Sequence, residues 1–314
     1  MTVLQAILEG IIQGATEFLP VSSSGHLSLS QHFLGLQVPG LFFDVMLHLG
    51  TLIAVIAVYY KLVWRLLREL VFLIRDLFTG KFRASEMNED RRLLLMLILG
   101  LVPLFLLFLP VPGTGMKLKD YADKWATDGD IVIEGCSLIV TAILLTLGIF
   151  ASHRTAAKHR TGTRPGSRPY SGRKQFRAGD ALTVGFVQCA AAMFPGLSRS
   201  GSTLSAGLMR GISRKAALDY SFVIGIPSIL AAALLELKDT AAQPVGDIAP
   251  ILAGIISAAI VGFLAINLLR WMVKTDKLGV FAAYTLVLGV VTVILGIVEH
   301  RSGVNIATGA PLPF

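Results

Sequence analysis

The sequence predicts an all-α integral membrane protein with an inverted-topology repeat, built from about six spanning helices and two re-entrant helical hairpins. Three observations predict this fold class. Of the 314 residues, 54% are hydrophobic and only 15% are charged, which is far from the balance of soluble domains. Six apolar stretches are long enough to cross a hydrocarbon core about 30 Å thick. Two further stretches are interrupted by proline at matching places in the two halves of the chain.

The first element, residues 2–36, is an apolar helix that is interrupted at Pro20 and restarts in a run of serines. Irregular backbone at membrane depth is tolerated only where protein buries it or where it borders a water-filled cavity. We therefore predict that residues 2–36, and likewise residues 179–211 around Pro195, enter and leave the membrane on one side. The alternative is that each proline only kinks a spanning helix. A cleavable signal peptide is not expected, because no basic region precedes an apolar run that ends in small residues.

The predicted spans separate loops of different charge. They lie at residues 41–60, 93–110, 131–152, 216–236, 249–271 and 278–298. The linker at 153–178 contains eight Lys or Arg residues, and the segment 61–92 is also basic, so the positive-inside rule places both in the cytoplasm. The first half of 61–92 is predicted to be an amphipathic helix on the inner membrane surface. The loops at 117–134 and 236–248 have little basic excess and are predicted to lie outside.

Similar residues recur 175 positions apart, which indicates an internal repeat. The pairs are Gly10/Gly185, Gln13/Gln188, Pro20/Pro195, Ser23/Ser198, Leu29/Leu204, Ser30/Ser205, Asp44/Asp219 and Gly50/Gly225. The loop charges orient the two halves oppositely, as in the inverted repeats of membrane transporters. We therefore divide the chain into a first repeat (1–152), a basic cytoplasmic linker (153–178) and a second repeat (179–314). The tips of the two hairpins should then meet near the middle of the membrane, with Ser23 close to Ser198.

A polar stripe runs along the first helix. It consists of Gln5, Glu9, Gln13 and Glu17, which are spaced four residues apart and so share one helix face. We interpret this stripe as the lining of a polar cavity, with Gln13 and Glu17 beside the break. The alternative is an exposed face on a frayed helix, which is more plausible for Gln5 and Glu9.

Ser22, Ser23 and Ser24 begin the half-helix that follows Pro20. Free backbone N–H groups at such a start bind anions, so the position suits a phosphate, whereas simple N-capping needs only one hydroxyl. His26 follows Ser23 by about one helical turn, so its imidazole can reach the Ser23 hydroxyl or a phosphate oxygen. Ser23, His26 and Glu17 are therefore candidate catalytic residues.

The second break carries the sequence PGLSRSGST at residues 195–203. A guanidinium at membrane depth is costly unless it is paired, and its planar fork matches phosphate oxygens in two parallel hydrogen bonds. Arg199 is therefore predicted to bind phosphate, and the alternative is a structural ion pair with Glu17. The neighbouring hydroxyls are predicted to assist it; they belong to Ser198, Ser200 and Thr203. A P-loop and a GxSxG elbow are absent from the sequence, which argues against nucleotide hydrolysis and the common soluble hydrolases.

Other features of the spans are expected to serve packing. Cys136 and Cys189 are predicted to be core residues, because a disulfide framework or a zinc site would need more partners. Asp44 and His48 are interpreted as groups that form hydrogen bonds between helices. Small residues in the span 249–271 would allow close packing within the protomer or across a homodimer. The net charge of +8 lies in loops between spans, so no nucleic-acid partner is expected.

With both clusters in hand, the chain resembles the undecaprenyl-diphosphate phosphatase family, the integral membrane enzymes linked to bacitracin resistance. The first family motif is Glu or Gln, three residues and Glu, followed by a proline-and-serine stretch that ends in Gly-His. Gln13, Glu17 and residues 20–26 match it. The second motif, Pro-Gly-x-Ser-Arg-Ser with a Thr shortly after, is matched by residues 195–200 and Thr203. The resemblance covers nearly the whole chain.

The resemblance implies hydrolysis of undecaprenyl diphosphate to undecaprenyl phosphate and inorganic phosphate, which recycles the lipid carrier of cell-wall synthesis. It also implies a divalent cation, Mg²⁺ or Ca²⁺, and a multi-pass protein in the bacterial plasma membrane with its site open to the outer, periplasmic side. Gln13 stands where some members have Glu, so the metal site predicted at Glu17 and Gln13 lacks one carboxylate.

We therefore predict phosphoryl transfer, in which positioning and charge neutralisation contribute most of the catalysis. Ser23 is the predicted nucleophile, with His26 as base and then acid, and Glu17 either orients His26 or holds the metal. Direct attack by His26 is the alternative. The predicted phosphate-binding residues are Ser22, Ser24, Ser198, Arg199, Ser200 and Thr203. The alternative function is a transporter or flippase for a phosphorylated polyprenyl lipid, because inverted repeats with broken helices are a transporter design.

Overall fold

A computed structural model describes residues 1–35, 40–83, 87–127, 130–160, 172–240 and 247–312. The described chain is helical, and its only β-type pairings are isolated bridges such as Pro110 with Lys117. The α-helices are α1 (Val3–Phe18), α2 (Ser23–Leu34), α3 (Gly40–Phe78), α4 (Glu89–Leu101), α5 (Leu118–Thr127), α6 (Ile131–Arg160), α7 (Ala178–Met193), α8 (Arg199–Met209), α9 (Arg214–Thr240), α10 (Ile248–Lys274) and α11 (Gly279–Ser302). A 3₁₀-helix, Val102–Phe108, continues α4.

Within the described part of the chain, six helical segments are long and apolar enough to cross a membrane, which agrees with the predicted number. They are Phe42–Phe78, Glu89–Phe108, Ile131–Ala157, Arg214–Leu235, Ile248–Lys274 and Gly279–Ser302. Each overlaps one predicted span, and the protein is therefore a multi-pass membrane protein. Residues 153–160 of the predicted linker belong to α6, and residues 161–171 lie outside the described residues.

The segment predicted to be an amphipathic surface helix is continuous with the preceding span. α3 bends at Tyr59, where φ is −107° and ψ is 17°, and then continues to Phe78. Its buried carboxylates Glu69 and Asp76 bind Arg91 of α4 at 3.1 and 2.8 Å. The charged residues that suggested a separate helix therefore include the ion pairs that fasten the end of α3 to α4.

The two proline breaks have the same construction. α1 ends at Phe18 and α7 ends at Met193, and the residues that follow, Leu19 and Phe194, are extended because a following proline disfavours the helical region. Ser22 then caps α2 by accepting a hydrogen bond from the backbone N–H of Gly25 at 3.2 Å. Ser198 caps α8 in the same way through Gly201 at 3.0 Å. The opposite membrane orientation of the halves and the re-entrant course of the hairpins stay predictions.

Small residues let α1 approach α10 closely. A Cβ atom on Gly14 would lie 2.6 Å from the backbone oxygen of Ala258 and 2.8 Å from the nitrogen of Gly262, so the backbones themselves are in contact. The small residues of the span 249–271 therefore pack within the protomer. Whether a homodimer forms as well stays a prediction.

The prediction that both cysteines pack in the core is wrong for Cys136, which is exposed on α6. Cys189 on α7 is only partly buried. A thiol is apolar enough to face lipid, so an apolar sequence context does not distinguish a membrane-facing cysteine from a core cysteine.

Two arginines hold the start of α7 through Asp180, a fully buried residue. Arg173 binds its carboxylate at 2.7 Å, and Arg210, which caps the end of α8, binds it at 2.9 Å. Burial alone would raise the pKa of Asp180. The hydrogen bonds from Arg173, the Arg177 backbone and Arg210 outweigh burial and lower this pKa to about 2.

A lowered pKa in the folded state means that the ionised form of Asp180 stabilises the fold. This stabilisation should be complete above the ordinary carboxyl pKa and should be lost as pH falls from about 4 towards 2. We therefore expect the thermal unfolding midpoint of Asp180→Asn to change less between pH 5 and pH 3 than that of the wild-type protein. Asp247→Asn, at an exposed position without a side-chain cap, is the control. Equal pH dependence of the wild-type protein and Asp180→Asn would contradict this assignment.

Candidate functional site

The two breaks contact each other, as the sequence predicts. The Ser24 hydroxyl accepts a hydrogen bond from the backbone N–H of Gly196 at 3.3 Å, and the Ser200 hydroxyl donates to the carbonyl of Leu19 at 3.2 Å. Gly196 has a φ of +83° and lies so close to α6 that a Cβ would come within 2.7 Å of the Glu134 backbone. The hydrogen bonds of the described residues do not include one between Ser23 and Ser198, so Ser24 and Ser200 make the junction.

Glu17 lies at the centre of this junction and is 5% exposed. Its Oε1 accepts a hydrogen bond from Arg199 Nη2 in an ion pair that joins the two motifs. Its Oε2 accepts from the Ser23 hydroxyl at 2.6 Å and from Gln13 Nε2 at 3.0 Å. A buried carboxylate is strongly destabilised without such partners. The ion pair that sequence reasoning gave as the alternative role of Arg199 is therefore present.

His48 also reaches Glu17. Its Nε2 lies 3.4 Å from Glu17 Oε2, and its Nδ1 lies 2.7 Å from the carbonyl oxygen of Asp44. Because both ring nitrogens face acceptors, only the imidazolium form can donate to both. The sequence predicts that His48 forms a polar contact between helices, and its contact with Glu17 of α1 agrees with that prediction. No local signal identifies Glu17 as the partner.

The His26 ring turns away from Ser23. Its Nδ1 lies 2.7 Å from the Ser22 carbonyl oxygen, and its Nε2 lies 2.7 Å from the Tyr284 hydroxyl, with the two rings stacked at 5.6 Å. A carbonyl can only accept, so Nδ1 carries a proton and the Nε2 of neutral His26 accepts from Tyr284. Ser23 thus has Glu17 as its proton acceptor in place of the predicted His26. Sequence reasoning missed Tyr284, a single tyrosine in an apolar span.

Exposure divides the candidate residues at the starts of α2 and α8 into two groups. The accessible or partly accessible members are Ser23, Ser24, His26 and Arg199; the buried members are Ser22, Ser198, Ser200 and Thr203. The buried hydroxyls already have partners within the protein. For example, Thr203 donates to the carbonyl of Arg199 at 2.8 Å. The buried group therefore shapes the helix starts, and the accessible group can contact a ligand.

The site is suited to an anion. Ser23 is the first residue of α2 and Arg199 is the first residue of α8, so the positive ends of two helix dipoles meet at the junction. Two buried polar atoms beside it have no hydrogen-bond partner among the described residues, and these are Arg199 Nη1 and Gln13 Oε1. Arg199 Nη1 packs against Gly225, and Gln13 Oε1 can accept from a ligand or bind a cation.

The rest of the stripe on α1 is structural. Gln5 and Thr2 form a capping box at the start of the helix. Glu9 is fully buried, which excludes the exposed-face alternative for this residue, and it accepts hydrogen bonds from Ser30 at 2.7 Å and Gln31 at 3.3 Å. Glu9 therefore contacts α2 along the helix, one turn before Gln13.

Comparison of the sequence with known proteins identifies the family of this chain. A family model described as bacitracin resistance protein BacA matches residues 6–291. The chain is 37% identical to an undecaprenyl-diphosphatase from Desulforapulum autotrophicum over 300 residues, which cover 95% of this chain and 100% of the relative. It is 37% identical to one from Alkaliphilus metalliredigens, with 95% and 100% covered. It is 36% identical to one from Methanosphaera stadtmanae, with 95% and 99% covered. The matched region contains both breaks and every candidate site residue.

Proposed function

The chain belongs to the bacitracin resistance protein BacA family, and from this premise we propose that it is an undecaprenyl-diphosphatase. It hydrolyses undecaprenyl diphosphate to undecaprenyl phosphate and inorganic phosphate. One observation carries the proposal: Glu17 binds both Ser23 and Arg199, so a hydroxyl, a proton acceptor and a phosphate-binding cation meet where the two breaks join. The full-length likeness to curated undecaprenyl-diphosphatases favours this function over the transporter or flippase alternative.

Arg199 and the two helix starts bind the diphosphate in this proposal. The guanidinium of Arg199, whose side chain is 20% exposed, donates to a phosphate oxygen, and the first backbone N–H groups of α2 and α8 supply further donors. Donors fixed in advance in a buried site stabilise the charge that develops on the transferred phosphoryl group. Ser24 is accessible and adds a hydroxyl. Ser22, Ser198, Ser200 and Thr203 act indirectly, because they hold the helix starts in place.

Ser23 is the proposed nucleophile. Its oxygen attacks the terminal phosphorus while its proton passes to Glu17 Oε2, 2.6 Å away. The bond from that phosphorus to the bridging oxygen breaks, and undecaprenyl phosphate leaves with the bonding electron pair. Water then attacks the phosphorus of the phosphoserine and gives a proton to the Tyr284 hydroxyl, which passes its own proton to Nε2 of His26. The bond from phosphorus to the Ser23 oxygen breaks, inorganic phosphate is released, and Ser23 regains a proton from Glu17. Direct attack on phosphorus by His26 Nε2 is the alternative first step.

Glu17 and Gln13 are the proposed ligands of a divalent cation, Mg²⁺ or Ca²⁺. Gln13 Oε1 is a buried oxygen without a hydrogen-bond partner, next to a carboxylate, and Mg²⁺ commonly binds one or two carboxylates together with substrate phosphates. The donor set therefore fits such an ion, although it has one carboxylate fewer than a Glu pair would provide. When bound, the cation neutralises charge on the diphosphate.

We further propose that the protein lies in a bacterial plasma membrane with its site open to the outer side. His26 is partly exposed and Tyr284 is 46% exposed beside other exposed apolar residues of α11. A polyprenyl chain can lie along this apolar edge while the diphosphate reaches the polar junction. The basic loops on the other face support this orientation through the positive-inside rule.

The function is tested by phosphate release from undecaprenyl diphosphate, using purified protein with and without added Mg²⁺ or Ca²⁺. We expect metal-dependent release that Ser23→Ala abolishes while binding of the lipid is retained. Movement of undecaprenyl phosphate across proteoliposomes by a well-folded protein that releases no phosphate would favour the flippase alternative and contradict the proposal.

Gly225 is expected to be essential because Arg199 lies against it. A Cβ at this position would be 2.0 Å from Arg199 Nη1, and the flexible end of the arginine is what must move. Gly225→Ala should therefore lower kcat/KM for phosphate release about a hundredfold with the fold retained. Gly279→Ala is the matched control, since a Cβ there meets nothing within 4 Å. Equal activity of the two variants would contradict the placement of Arg199.

Tyr284 is expected to position His26 and to pass it a proton. Tyr284→Phe removes the hydroxyl that donates to Nε2 but keeps the stacked ring, so kcat should fall about tenfold while KM stays nearly unchanged. Tyr60→Phe, at a tyrosine that is 59% exposed, provides the control. A change in KM alone would indicate that Tyr284 contacts the lipid chain and does not orient His26.

A further inference from the structure

A cavity separate from the junction lies on the face of the protein that carries the basic loops. Its volume is about 630 Å³, and it is bounded by the second half of α3, the start of α4, residues 173–177 and the start of α9. None of its lining residues belongs to the junction of the two breaks. The positive-inside rule places this face in the cytoplasm, whereas the proposed phosphatase site opens on the outer side.

The rim of this cavity has an excess of positive charge. Its lining carries five cations, Arg65, Arg92, Arg173, Lys174 and Arg177, and three carboxylates, Glu89, Asp90 and Asp219. Asp90 is paired with Arg65 at 3.0 Å, whereas Glu89 and Asp219 accept hydrogen bonds from the neutral Gln175 and Tyr59 and keep their charge.

Among its cations, Arg65 and Arg173 are paired with acids. Arg92, Lys174 and Arg177 are exposed lining residues and have no ion-pair partner among the residues that the structure describes. Three cations in one cavity attract an anion, and arginine favours phosphate oxygens in particular.

The floor of the cavity is apolar. Leu62, Leu93, Met96 and Val223 line it, and Phe176 stacks on Tyr220 with ring centroids 3.9 Å apart. The Tyr220 hydroxyl is turned away to donate to the carbonyl of Met96 at 2.7 Å, so the aromatic pair adds apolar surface. A free inorganic anion would gain nothing from such a floor. A ligand with a hydrocarbon chain would bury that chain there.

We propose that this cavity binds the phosphate headgroup of an anionic lipid, with Arg92, Lys174 and Arg177 around the phosphate and the hydrocarbon chain on the apolar floor. Two lipid sources share this chemistry, an anionic phospholipid and a polyprenyl phosphate. Basic pockets on the cytoplasmic side of membrane proteins bind lipid headgroups in this way. The site is separate from the phosphatase junction and does not depend on the proposed reaction.

The test is titration of delipidated protein with phosphatidylglycerol, undecaprenyl phosphate and phosphatidylcholine, with bound lipid counted by native mass spectrometry. The test variant is the triple Arg92→Gln, Lys174→Gln and Arg177→Gln. The control triple is Arg68→Gln, Lys81→Gln and Lys274→Gln, which removes the same charge from exposed positions outside the cavity. Retained phosphate release and size-exclusion behaviour establish that each variant is folded.

We expect the test triple to lose about a hundredfold in affinity for the anionic lipids, about fivefold for each cation, and the control triple to lose less than about threefold. The tighter of the two anionic lipids then identifies the source. Equal losses in the two triple variants would mean that the overall surface charge causes the effect, and this would overturn the proposal. Unchanged binding in the test triple variant would overturn it too. If an equal concentration of inorganic phosphate displaced the lipid, the apolar floor would add nothing to binding and the proposal would be wrong.

Discussion

Arg199→Lys is expected to lower kcat/KM for phosphate release about a thousandfold, although it keeps the positive charge. The guanidinium binds Glu17 through Nη2 and packs against Gly225 through Nη1, and the exposed fifth of the side chain is the part that meets the substrate. An ammonium group presents its donors from a single point and cannot reproduce this fork. Loss of one fixed donor to a transition-state oxygen costs about a hundredfold to a thousandfold. The measurement is steady-state phosphate release from undecaprenyl diphosphate at several substrate concentrations.

Arg210→Lys is the matched control for this variant. Arg210 caps the other end of α8 and binds Asp180, so the same change is made on the same helix away from the junction. We expect its kcat/KM to stay within about threefold of the wild-type value, because an ammonium keeps an ion pair of this kind. If Arg199→Lys retained most of its activity, Arg199 would serve as a simple counter-charge to Glu17 and the proposed phosphate contact would be wrong.

Glu17→Gln is expected to reduce kcat by a factor of about a thousand to ten thousand. The change removes the acceptor of the Ser23 proton and the partner of Arg199 while it nearly preserves the volume of the side chain. Loss of a general base alone typically costs a factor of about a hundred to ten thousand. The measurement is kcat at saturating substrate, with lipid binding measured on the same preparation to separate catalysis from affinity.

Glu9→Gln provides the comparison for Glu17→Gln. Glu9 belongs to the same helix and the same polar stripe, is fully buried, and accepts hydrogen bonds from Ser30 and Gln31. Neutralising it tests whether loss of any buried carboxylate on α1 damages the protein. A comparable fall in kcat for Glu9→Gln would mean that the effect at position 17 reflects the fold of α1 and not proton transfer.

The spans and breaks could be predicted because they depend on local physical chemistry. Apolar stretches of sufficient length identify the six spanning helices, and Pro20 and Pro195 end α1 and α7 because a proline disfavours the helical region for the residue before it. This preference is not absolute, since Pro227 lies inside α9. The continuation of α3 to Phe78 could not be predicted, because it depends on Glu69 and Asp76 finding Arg91 on another helix. Ion pairs between helices leave no periodic signal in the sequence.

The same distinction applies to the candidate site. Residue types and the resemblance to family motifs predict both clusters. The sequence also offers an ion pair with Glu17 as the alternative role of Arg199. The partner of each remaining group was not predictable. Ser23 and His26 lie one turn apart, which favoured a contact between them, but tertiary packing brings Ser23 to Glu17 and His26 to Tyr284. Tertiary packing likewise brings His48 to Glu17.

The sequence repeat also does not predict which side chains become partners. Asp44 and Asp219 are 175 positions apart and occupy corresponding helices, but Asp44 accepts a hydrogen bond from Gln31, whereas Asp219 accepts one from Tyr59. The repeat therefore conserves the place of the carboxylate and not its partner. Asp219 also borders the basic cavity, while Asp44 contacts His48 through its backbone carbonyl and not through its carboxylate.

The central claim is that the two breaks form one catalytic unit, and a double-mutant cycle tests it most directly. The measurement is kcat/KM for phosphate release by the wild-type protein, Glu17→Gln, Arg199→Lys and the double variant. Because both residues act on the same phosphoryl group and on each other, the double variant should be about as impaired as the worse single variant. If the two losses simply multiply, Glu17 and Arg199 act independently and the account of a joint site is contradicted.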